Sequence, residues 1–370
     1  MKILCICPIG IGNYLLAYPA FSLLRAAGSD AELHLLALRQ SIAELAQGDT
    51  LWNRIHCIDP TRTPSLGRQY RFIRGLSLER FSSSISFFPS NNWQYNLVPF
   101  LCGIKDRWAS GCPLKKGYSL SFLNNHIVPI DPQAHDVAQN LRLASSFTQV
   151  NQPAGPLVFP ALVTEKEAAE ADRYLEKLGG PQRYIGIHPG SSGEHGMAAK
   201  RWDPMRFGEL GTRICGALKA QALFFGSTDE DKIKHVAASI MKAPSHLVAP
   251  ASLRMTAALL RRCALLLCND SGLMHMAACM GVPTAAVFGP TDERRNGPVG
   301  TGHLVIRKPL AGFPVWTAAT VGVRAVKSGV DVQASLKALS VDDAWEKVMP
   351  WLASIKTEKT GGGKPAERIL

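Results

Sequence analysis

The sequence predicts an α/β protein made of two doubly wound domains, each built on its own parallel sheet. In both halves of the chain, apolar runs of strand length alternate with helical stretches, a pattern typical of parallel sheets with crossover helices. A length of 370 residues is too great for one ordinary core. A segment rich in Pro, Gly and polar residues at 151–160 marks the boundary. We therefore expect domains at 1–155 and 156–338, a terminal helix at 339–355 that packs back toward the first domain, and a disordered tail at 356–370.

The first half begins with a strand, a glycine loop and a helix. Its expected elements are strands at 3–7, 32–37 and 82–88 and a helix at 14–27. The loop after the first strand carries Gly10 and Gly12. A later stretch, 54–80, holds six arginines against only two acids, Asp59 and Glu79. This stretch is the most basic part of the predicted first domain.

The second half repeats the alternation. The expected strands are 184–188, 222–225, 264–268 and 283–288, and the expected helices are 164–178, 206–218 and 340–352. Thr164 and Glu167 have the spacing of a capping box at the start of the first of these helices. A short helix after the third strand should end at Gly281 in a left-handed conformation.

Composition narrows the classes of partner. The formal charge is +12, which favours polyanions such as nucleic acid, anionic membranes or phosphorylated substrates. The basic stretch has few interleaved aromatic residues, so we expect no nucleic acid. No apolar run approaches the roughly 18 residues of a membrane helix, and the N-terminus is typical of a strand rather than of a signal peptide. Nine scattered cysteines without a C-x-x-C pair indicate reduced thiols in the cytoplasm and no metal site.

A polar turn between a buried strand and a helix is the most informative feature of the second half. It consists of Asn269, Asp270, Ser271 and Gly272. Ligands of open α/β sheets bind at such carboxyl ends of strands, and the free N–H groups of a helix start favour phosphate. A carboxylate such as that of Asp270 suits sugar hydroxyls, because it accepts their hydrogen bonds and repels phosphate. The turn therefore predicts a nucleotide-sugar site.

Three passages together resemble the signature of glycosyltransferase family 9, which includes the ADP-heptose:lipopolysaccharide heptosyltransferases. They are residues 188–192 with 200–202, residues 225–227 with Glu230, and the turn at 269–278 with 281–284 and 288–292. The resemblance implies a GT-B fold with two Rossmann-like domains that face a central cleft. It also implies inverting, metal-independent sugar transfer without a cofactor, with the donor on the second domain and the acceptor facing the first.

The resemblance assigns a set of donor-binding residues. They are Ser191, Lys200, Glu230, Asp270, Ser271, Gly272, His275 and Thr291. Lys200 and the amides of Ser271 and Gly272 would bind the diphosphate, Asp270 the sugar and Glu230 the ribose, with Lys200 and Asp270 also counted as catalytic. Four of them have a structural alternative: a cap for Ser271, a solvated side chain for Lys200, an early-helix acid for Glu230 and core packing for His275.

On the acceptor side, the resemblance points to Gly12 and to Asn13, which is also counted as catalytic. Asn91 follows a predicted strand of the same domain and could meet acceptor hydroxyls, although turn propensity explains it equally well. The charge points to Arg68, Arg71 and Arg74. These arginines would dock an anionic glycan or glycolipid at the inner-membrane surface, or they belong to an ordinary solvated helix. The family carries an aspartate, the presumed base, where this chain has Asn13, and an amide cannot take a proton at neutral pH. Either the base lies elsewhere, with Asp106 a candidate, or little base is needed, or activity has been lost.

Rival functions make different demands on the sequence. A dinucleotide-dependent oxidoreductase is disfavoured, because Leu15 occupies the third glycine position of its fingerprint. A sugar-nucleotide epimerase would consume donor without acceptor. A glycosyltransferase for another nucleotide sugar, or a non-catalytic relative that binds nucleotide sugar or glycan, remains an alternative to the heptosyltransferase.

Overall fold

A computed structural model describes residues 1–7, 10–28, 30–59, 65–90, 92–111, 119–152, 155–179, 182–249, 251–317 and 329–360. The chain divides into two compact units. The first is built mainly of Met1–Pro160, and the second includes Ala161–Glu293 and Gly297–Val315. The division falls at the end of the Pro- and Gly-rich segment in which the sequence placed it.

The first unit is a parallel sheet with crossover helices. Within the described residues its strand order is β3-β2-β1-β4-β5-β6. The strands are β1 (Lys2–Cys7), β2 (Glu32–Ala37), β3 (Arg54–Cys57), β4 (Ser83–Ser86), β5 (Asp106–Ser110) and β6 (His126–Val128). The helices are α1 (Ile11–Ala27), α2 (Gln40–Ala46), α3 (Leu66–Leu78), α4 (Trp93–Leu101) and α5 (Asp136–Thr148), with a 3₁₀ turn at Ser121–Leu123.

The second unit repeats this architecture with the order β12-β11-β10-β7-β8-β9, again within the described residues. Its strands are β7 (Tyr184–His188), β8 (Gln221–Phe224), β9 (Ser245–Leu247), β10 (Cys263–Asn269), β11 (Thr284–Val287) and β12 (Leu304–Ile306). Its helices are α6 (Glu165–Lys177), α7 (Pro204–Leu218), α8 (Asp231–Ile240), α9 (Leu253–Arg262), α10 (Gly272–Cys279), α11 (Glu293–Asn296), α12 (Ala334–Ala338) and α13 (Val341–Thr360). Two 3₁₀ segments, Glu194–Lys200 and Thr228–Glu230, follow β7 and β8.

Several local predictions are confirmed by hydrogen bonds and dihedral angles. Thr164 and Glu167 form the capping box that starts α6. Gly281 follows α10 with a φ of +70°, the left-handed conformation expected there. Gly10, just before α1, has a φ of +124°, which only glycine adopts easily. Glycine at this position therefore allows the backbone conformation that precedes α1.

The terminal helix packs differently from the prediction. Its buried face, which includes Val341, Val348 and Trp351, belongs to the core that also contains Ile187 and Phe224 of the second sheet. The Trp351 indole N–H donates to the carbonyl of Gly302, 3.1 Å away. The apolar side of α13 is therefore satisfied within the second unit instead of the first. The helix also continues through Thr360, so residues 356–360 are helical, contrary to the predicted tail; residues 361–370 lie outside the described residues.

The cysteines of the described residues carry thiols and form no disulfides with one another. Burial raises the pKa of Cys5, Cys7 and Cys268 well above that of an exposed thiol, so these groups are protonated and unreactive at neutral pH. They pack as small apolar residues of strands β1 and β10. Across the described part of the chain, the helices are too short or too polar to cross a bilayer.

Candidate active site

The carboxyl edge of the second sheet gathers the predicted donor residues. Strands β10 and β8 flank β7 on its two sides, and their registers pair Cys268 with His188 and Phe224 with Ile187. The three strands therefore end at nearly the same level. The segments that follow them carry the polar turn, the loop to Lys200 and the acid Glu230. The parallel register thus brings together residues that are up to 83 positions apart in the sequence.

Asp270 is the centre of a buried polar cluster. Its carboxylate is 2% exposed. One oxygen, Oδ2, lies 2.9 Å from the Lys200 ammonium and accepts the hydroxyl hydrogen of Thr291 over 2.7 Å. The sequence placed all three residues at the donor, and the structure brings them together. Because the Thr291 hydroxyl has one proton and gives it to Asp270, it has only lone pairs left to offer a ligand.

The environment of Asp270 keeps it ionised. Burial alone would raise the pKa of this carboxyl group, and that is the largest single effect. The charge of Lys200, the hydrogen bond from Thr291 and nearby His275 together outweigh burial and hold the pKa below its ordinary value. The site therefore presents a fixed carboxylate beside a fixed ammonium at neutral pH.

Ser271 and Gly272 begin helix α10. The Ser271 hydroxyl oxygen accepts from the backbone N–H of Met274 and so caps the helix. Gly272 is the first helical residue. His275, one turn later, is 5% exposed and lies near enough to Asp270 to lower its pKa. The structure thus bears out the capping role of Ser271. The positive end of the helix dipole also lies at this helix start, and it favours an anion there.

Glu230 lies at the other end of the edge, after β8. Its Oε2 accepts from both the N–H and the hydroxyl of Ser227, at 2.8 and 3.0 Å. Its Oε1 lies 3.3 Å from Nε2 of His188. Burial raises the pKa of Glu230, but His188 and Ser227 lower it by more, to about 2. A Cβ on Gly190 would lie only 2.0 Å from Oε1, so the close approach of the loop to Glu230 requires glycine there.

Asn269 and His188 are site residues to which sequence reasoning assigned no role. Asn269 is fully buried; its side-chain amide donates to the carbonyls of Pro189 and Gly190, and its oxygen accepts from the N–H of Trp202. It therefore ties both loops of the site to β10. One sequence signal could have pointed to both residues. Each is a polar residue at the end of an apolar run, and each is the last residue of its strand.

Ser191 lies in the loop after β7 and is buried. Its hydroxyl donates to the carbonyl of Met197 over 3.3 Å. Its own carbonyl accepts from the guanidinium of Arg201, 3.1 Å from Nε. Ser191 thus folds the loop that delivers Lys200 to Asp270, which gives it a structural role beside any contact with a ligand.

In the first unit, Gly12 and Asn13 lie in the first turn of α1, at the carboxyl edge of the sheet. Asp106 lies at the opposite edge, because it begins β5 and is level with Ser83 and Ile3 in register. Four residues of strand, about 13 Å at roughly 3.3 Å per residue, separate that level from the end of β1. Asp106 is moreover paired with His126, 3.1 Å away. The idea that Asp106 replaces the missing base is therefore wrong.

The arginine stretch divides into two parts. Arg54 pairs with Glu79. Arg68, Arg71 and Arg74 are exposed on α3, spaced three residues apart on its outer side. The structure thus places these three guanidinium groups in solvent, where a ligand can reach them. Asn91 lies outside the described residues.

Comparison with known proteins decides the family. Residues 97–312, more than half of the chain, match glycosyltransferase family 9 (heptosyltransferase). The chain belongs to glycosyltransferase family 9. Family membership and the fold together identify it as a glycosyltransferase.

Relatives of known activity span most of the chain. Lipopolysaccharide heptosyltransferase 2 of Escherichia coli is 23% identical over 316 residues, which cover 83% of this chain and 88% of the relative. Lipooligosaccharide heptosyltransferase 2 of Haemophilus influenzae is 25% identical over 320 residues, with the same coverage of 83% and 88%.

Solved structures of the family have the same fold. The E. coli ADP-heptose lps heptosyltransferase II superposes with a TM-score of 0.71 at 21% identity, over 96% of this chain and all of the other. The family 9 glycosyl transferase from Veillonella parvula gives a TM-score of 0.76 at 17% identity, over 95% and 97%. The E. coli heptosyltransferase WaaC with ADP-2-deoxy-2-fluoro heptose gives 0.68 at 15% identity, over 95% and 99%. The predicted α/β fold with two Rossmann-like domains, the GT-B fold, is confirmed.

Proposed function

We propose that this glycosyltransferase moves heptose from ADP-heptose onto a lipopolysaccharide core or a related cell-surface glycan, with inversion and without a metal. The observation that carries the proposal is the buried cluster of Lys200, Asp270 and Thr291 beside the start of α10. The names of the relatives over 83% of the chain support heptose and lipopolysaccharide. The use of another nucleotide sugar by the same cluster is the alternative.

The donor would lie along the carboxyl edge of the second sheet. Lys200 has three N–H donors and spends one on Asp270, so two can reach the diphosphate. The backbone amides of Ser271 and Gly272 add the positive end of the helix, with His275 buried behind them. The carboxylate of Asp270 would accept hydrogen bonds from sugar hydroxyls, and that of Glu230 from the ribose. Thr291 would act chiefly by holding Asp270, and Ser191 by shaping the loop.

The reaction would be a single displacement. The acceptor hydroxyl oxygen bonds to the anomeric carbon on the face opposite the diphosphate, and the bond from that carbon to the diphosphate oxygen breaks. The configuration therefore inverts. Negative charge grows on the departing diphosphate, where Lys200 and the start of α10 supply fixed positive charge. Such charge in a dry site gives the stabilisation that a metal ion supplies in other enzymes.

Asn13 would orient the acceptor rather than take its proton. Its amide can donate to and accept from a hydroxyl group but is not basic. A transition state in which the leaving bond is largely broken needs little help from a base. The hydroxyl proton then leaves late, to water. Gly12, beside Asn13 in the first turn of α1, would leave room for the acceptor.

The acceptor would dock on α3 at the cytoplasmic face of the inner membrane. Arg68, Arg71 and Arg74 are exposed, and so are the apolar side chains of Leu66 and Tyr70, at 80% and 65%. Basic groups interleaved with exposed apolar ones suit an anionic glycolipid and the surface that holds it. Each basic residue near such a surface adds about 1 kcal/mol of attraction.

The donor is tested with a thermal-shift panel of ADP-, UDP-, GDP- and CDP-sugars. A ligand at about a hundred times its Kd stabilises the fold by about 2.7 kcal/mol. We expect the largest shift with ADP-heptose, loss of that shift in Lys200→Ala, and no change in the control Lys232→Ala, whose side chain is exposed on α8. Chelation by EDTA should leave turnover unchanged, and NMR should show an inverted anomeric centre. Absence of a shift with every sugar would contradict a donor site.

The role of Asn13 is tested by turnover. Asn13→Ala should lower kcat strongly, by a factor on the order of 10², and leave the affinity for ADP unchanged, because the residue lies in the other unit. Wild-type turnover in this variant would refute the assignment. Donor consumption without any acceptor would instead indicate an epimerase.

The acceptor surface is tested by charge removal. Replacing Arg68, Arg71 and Arg74 with Gln should weaken binding to anionic acceptor and to vesicles containing anionic lipid, with ADP affinity unchanged. The matched control removes three exposed charges from α6 of the second unit, at Lys166, Arg173 and Lys177. Equal losses in both triple variants would show a general effect of net charge and reject a surface on α3.

A further inference from the structure

His188 occupies a singular position on the edge of the second sheet. It ends β7, which lies between β10 and β8, and it is 3% exposed. Its two ring nitrogens reach in opposite directions along the edge. Nδ1 lies 3.1 Å from the hydroxyl oxygen of Ser271, and Nε2 lies 3.3 Å from Oε1 of Glu230. One imidazole therefore connects the start of α10 with the acid after β8.

The partners of His188 fix the direction of one of its two hydrogen bonds. Both oxygens of the ionised Glu230 only accept, so the proton between them and Nε2 must belong to the ring. Nδ1, the other ring nitrogen, then forms the hydrogen bond with the hydroxyl group of Ser271, 3.1 Å away. The Ser271 oxygen at the same time accepts from the N–H of Met274. The result is an unbroken chain of hydrogen bonds from α10 to Glu230.

The two helix starts do not need this bridge. Ser271 already caps α10 through Met274, and Glu230 already forms a capping box with Ser227. The bridge adds a fixed distance and orientation between Ser271 and Glu230, which belong to the connections after two different strands. Gly190 leaves space for it, because a Cβ there would lie 3.1 Å from Nε2 and 2.0 Å from Oε1 of Glu230.

We propose that His188 is a positioning residue that sets the spacing between the diphosphate end and the ribose end of the donor site. This inference rests on the donor site proposed above. In a nucleoside diphosphate a single methylene group joins the ribose to the phosphates and confines their separation to a narrow range. A rigid connection between Ser271 and Glu230 therefore favours that class of ligand. His188 itself is covered by the two residues that it holds and acts through them.

Two conservative variants separate the halves of the bridge. The amide oxygen of His188→Asn lies near the place of Nδ1 and can accept from Ser271, but it cannot reach Glu230. The amide nitrogen of His188→Gln lies near the place of Nε2 and can donate to Glu230, but it leaves Ser271 without its acceptor. His188→Ala removes both contacts. The control is His246→Gln, because His246 bonds a side chain of the same sheet, Gln221, away from the site.

The readouts are calorimetric affinities for three probes. Inorganic pyrophosphate reports the diphosphate end, and the ratio of affinities for ADP and 2′,3′-dideoxy-ADP reports the ribose end. His188→Gln should bind pyrophosphate about tenfold more weakly, which is the equivalent of one hydrogen bond to a charged group. Its ratio of affinities for ADP and 2′,3′-dideoxy-ADP should equal that of the wild type. His188→Asn should keep the affinity for pyrophosphate. Its affinities for ADP and 2′,3′-dideoxy-ADP should become similar, because the ribose end is no longer held. A purely structural histidine would instead give the same loss with Asn and with Gln, and that result would overturn the proposal.

The bridge also has a readout that needs no ligand. In ¹⁵N NMR of the intact chain, Nε2 of His188 should carry a proton, with Nδ1 perturbed by Ser271→Ala and Nε2 by Glu230→Gln. Insensitivity of both nitrogens would overturn the bridge even if the donor site is correct. A wild type with the expected NMR signals that binds neither ADP nor pyrophosphate would overturn the donor site and, with it, the role of His188. Circular dichroism of every variant establishes that it is folded.

Discussion

Replacing Lys200 with Met should destabilise the protein in a manner that depends on pH. The Lys200 ammonium lies 2.9 Å from the Asp270 carboxylate, and their side chains are 15% and 2% exposed. At that distance and an effective dielectric of about 20, the attraction is about 6 kcal/mol. Burial of both charges takes back a large part of it, but an unpaired buried carboxylate typically costs about 3–5 kcal/mol. Because Thr291 still donates to Asp270, we expect a loss of about 2–4 kcal/mol at pH 7.

The pH dependence follows from the direction of the Asp270 pKa. In the wild type this pKa is depressed, so the group contributes stability above its unfolded pKa, and the contribution is lost as pH falls through the folded pKa. Without Lys200, burial becomes the dominant influence and raises the folded pKa above the unfolded value of about 3.9. Ionisation of Asp270 then opposes folding at neutral pH. The difference between wild type and variant should therefore be largest near pH 7 and shrink as pH approaches 4.

The assay is urea unfolding of both proteins from pH 7 to pH 4.5, with equal m values required for comparison. Lys232→Met, on the exposed side of α8, is the matched control and should change stability by less than about 0.5 kcal/mol. Asp270→Asn in the Lys200→Met background should recover part of the loss, because it removes the stranded charge. A difference that stays constant with pH, together with no recovery in the double variant, would refute the assigned coupling.

Two further perturbations test other contacts. Gly190→Ala forces a Cβ to within 2.0 Å of Glu230. Thermal unfolding should show a loss of about 2 kcal/mol in stability, and ADP should bind more weakly. The control is Gly216→Ala, where a Cβ meets open space, and it should be neutral or slightly stabilising. Nδ1 of His34 lies 3.0 Å from Nε2 of His56, and burial, then the neighbouring positive groups, lower the pKa of His56 to about 4. Because the folded pKa of His56 is depressed and the folded pair favours neutral rings, stability should fall by about 1 kcal/mol between pH 6.5 and pH 4, after allowance for partial exposure. His56→Asn should flatten that part of the urea profile, and an unchanged profile would contradict the pairing.

The strands and their order of appearance were predictable because their signals are local. Apolar runs located β1, β2 and β7 to within a residue, and glycines and caps located several turns between strands and helices. A parallel sheet then requires all carboxyl ends to share one edge, so the neighbourhood of Lys200 and Asp270 also followed from the sequence. What periodicity could not supply is which polar groups on that edge bond to one another. The bridge at His188 joins positions 42 and 83 residues away, and only the register of three strands fixes it.

The same register also decides questions of chemistry that residue type leaves open. Asp106 is an acid in the domain expected to hold the acceptor, so composition alone makes it a candidate base. Its place at the first residue of β5 puts it one strand length from the edge at which α1 begins. Catalytic contribution depends on reach before it depends on pKa. With Asp106 removed from consideration, the absence of an acid at position 13 agrees with the proposed reaction, in which catalysis would rest on the cluster around Lys200 and on the stabilised departure of the diphosphate.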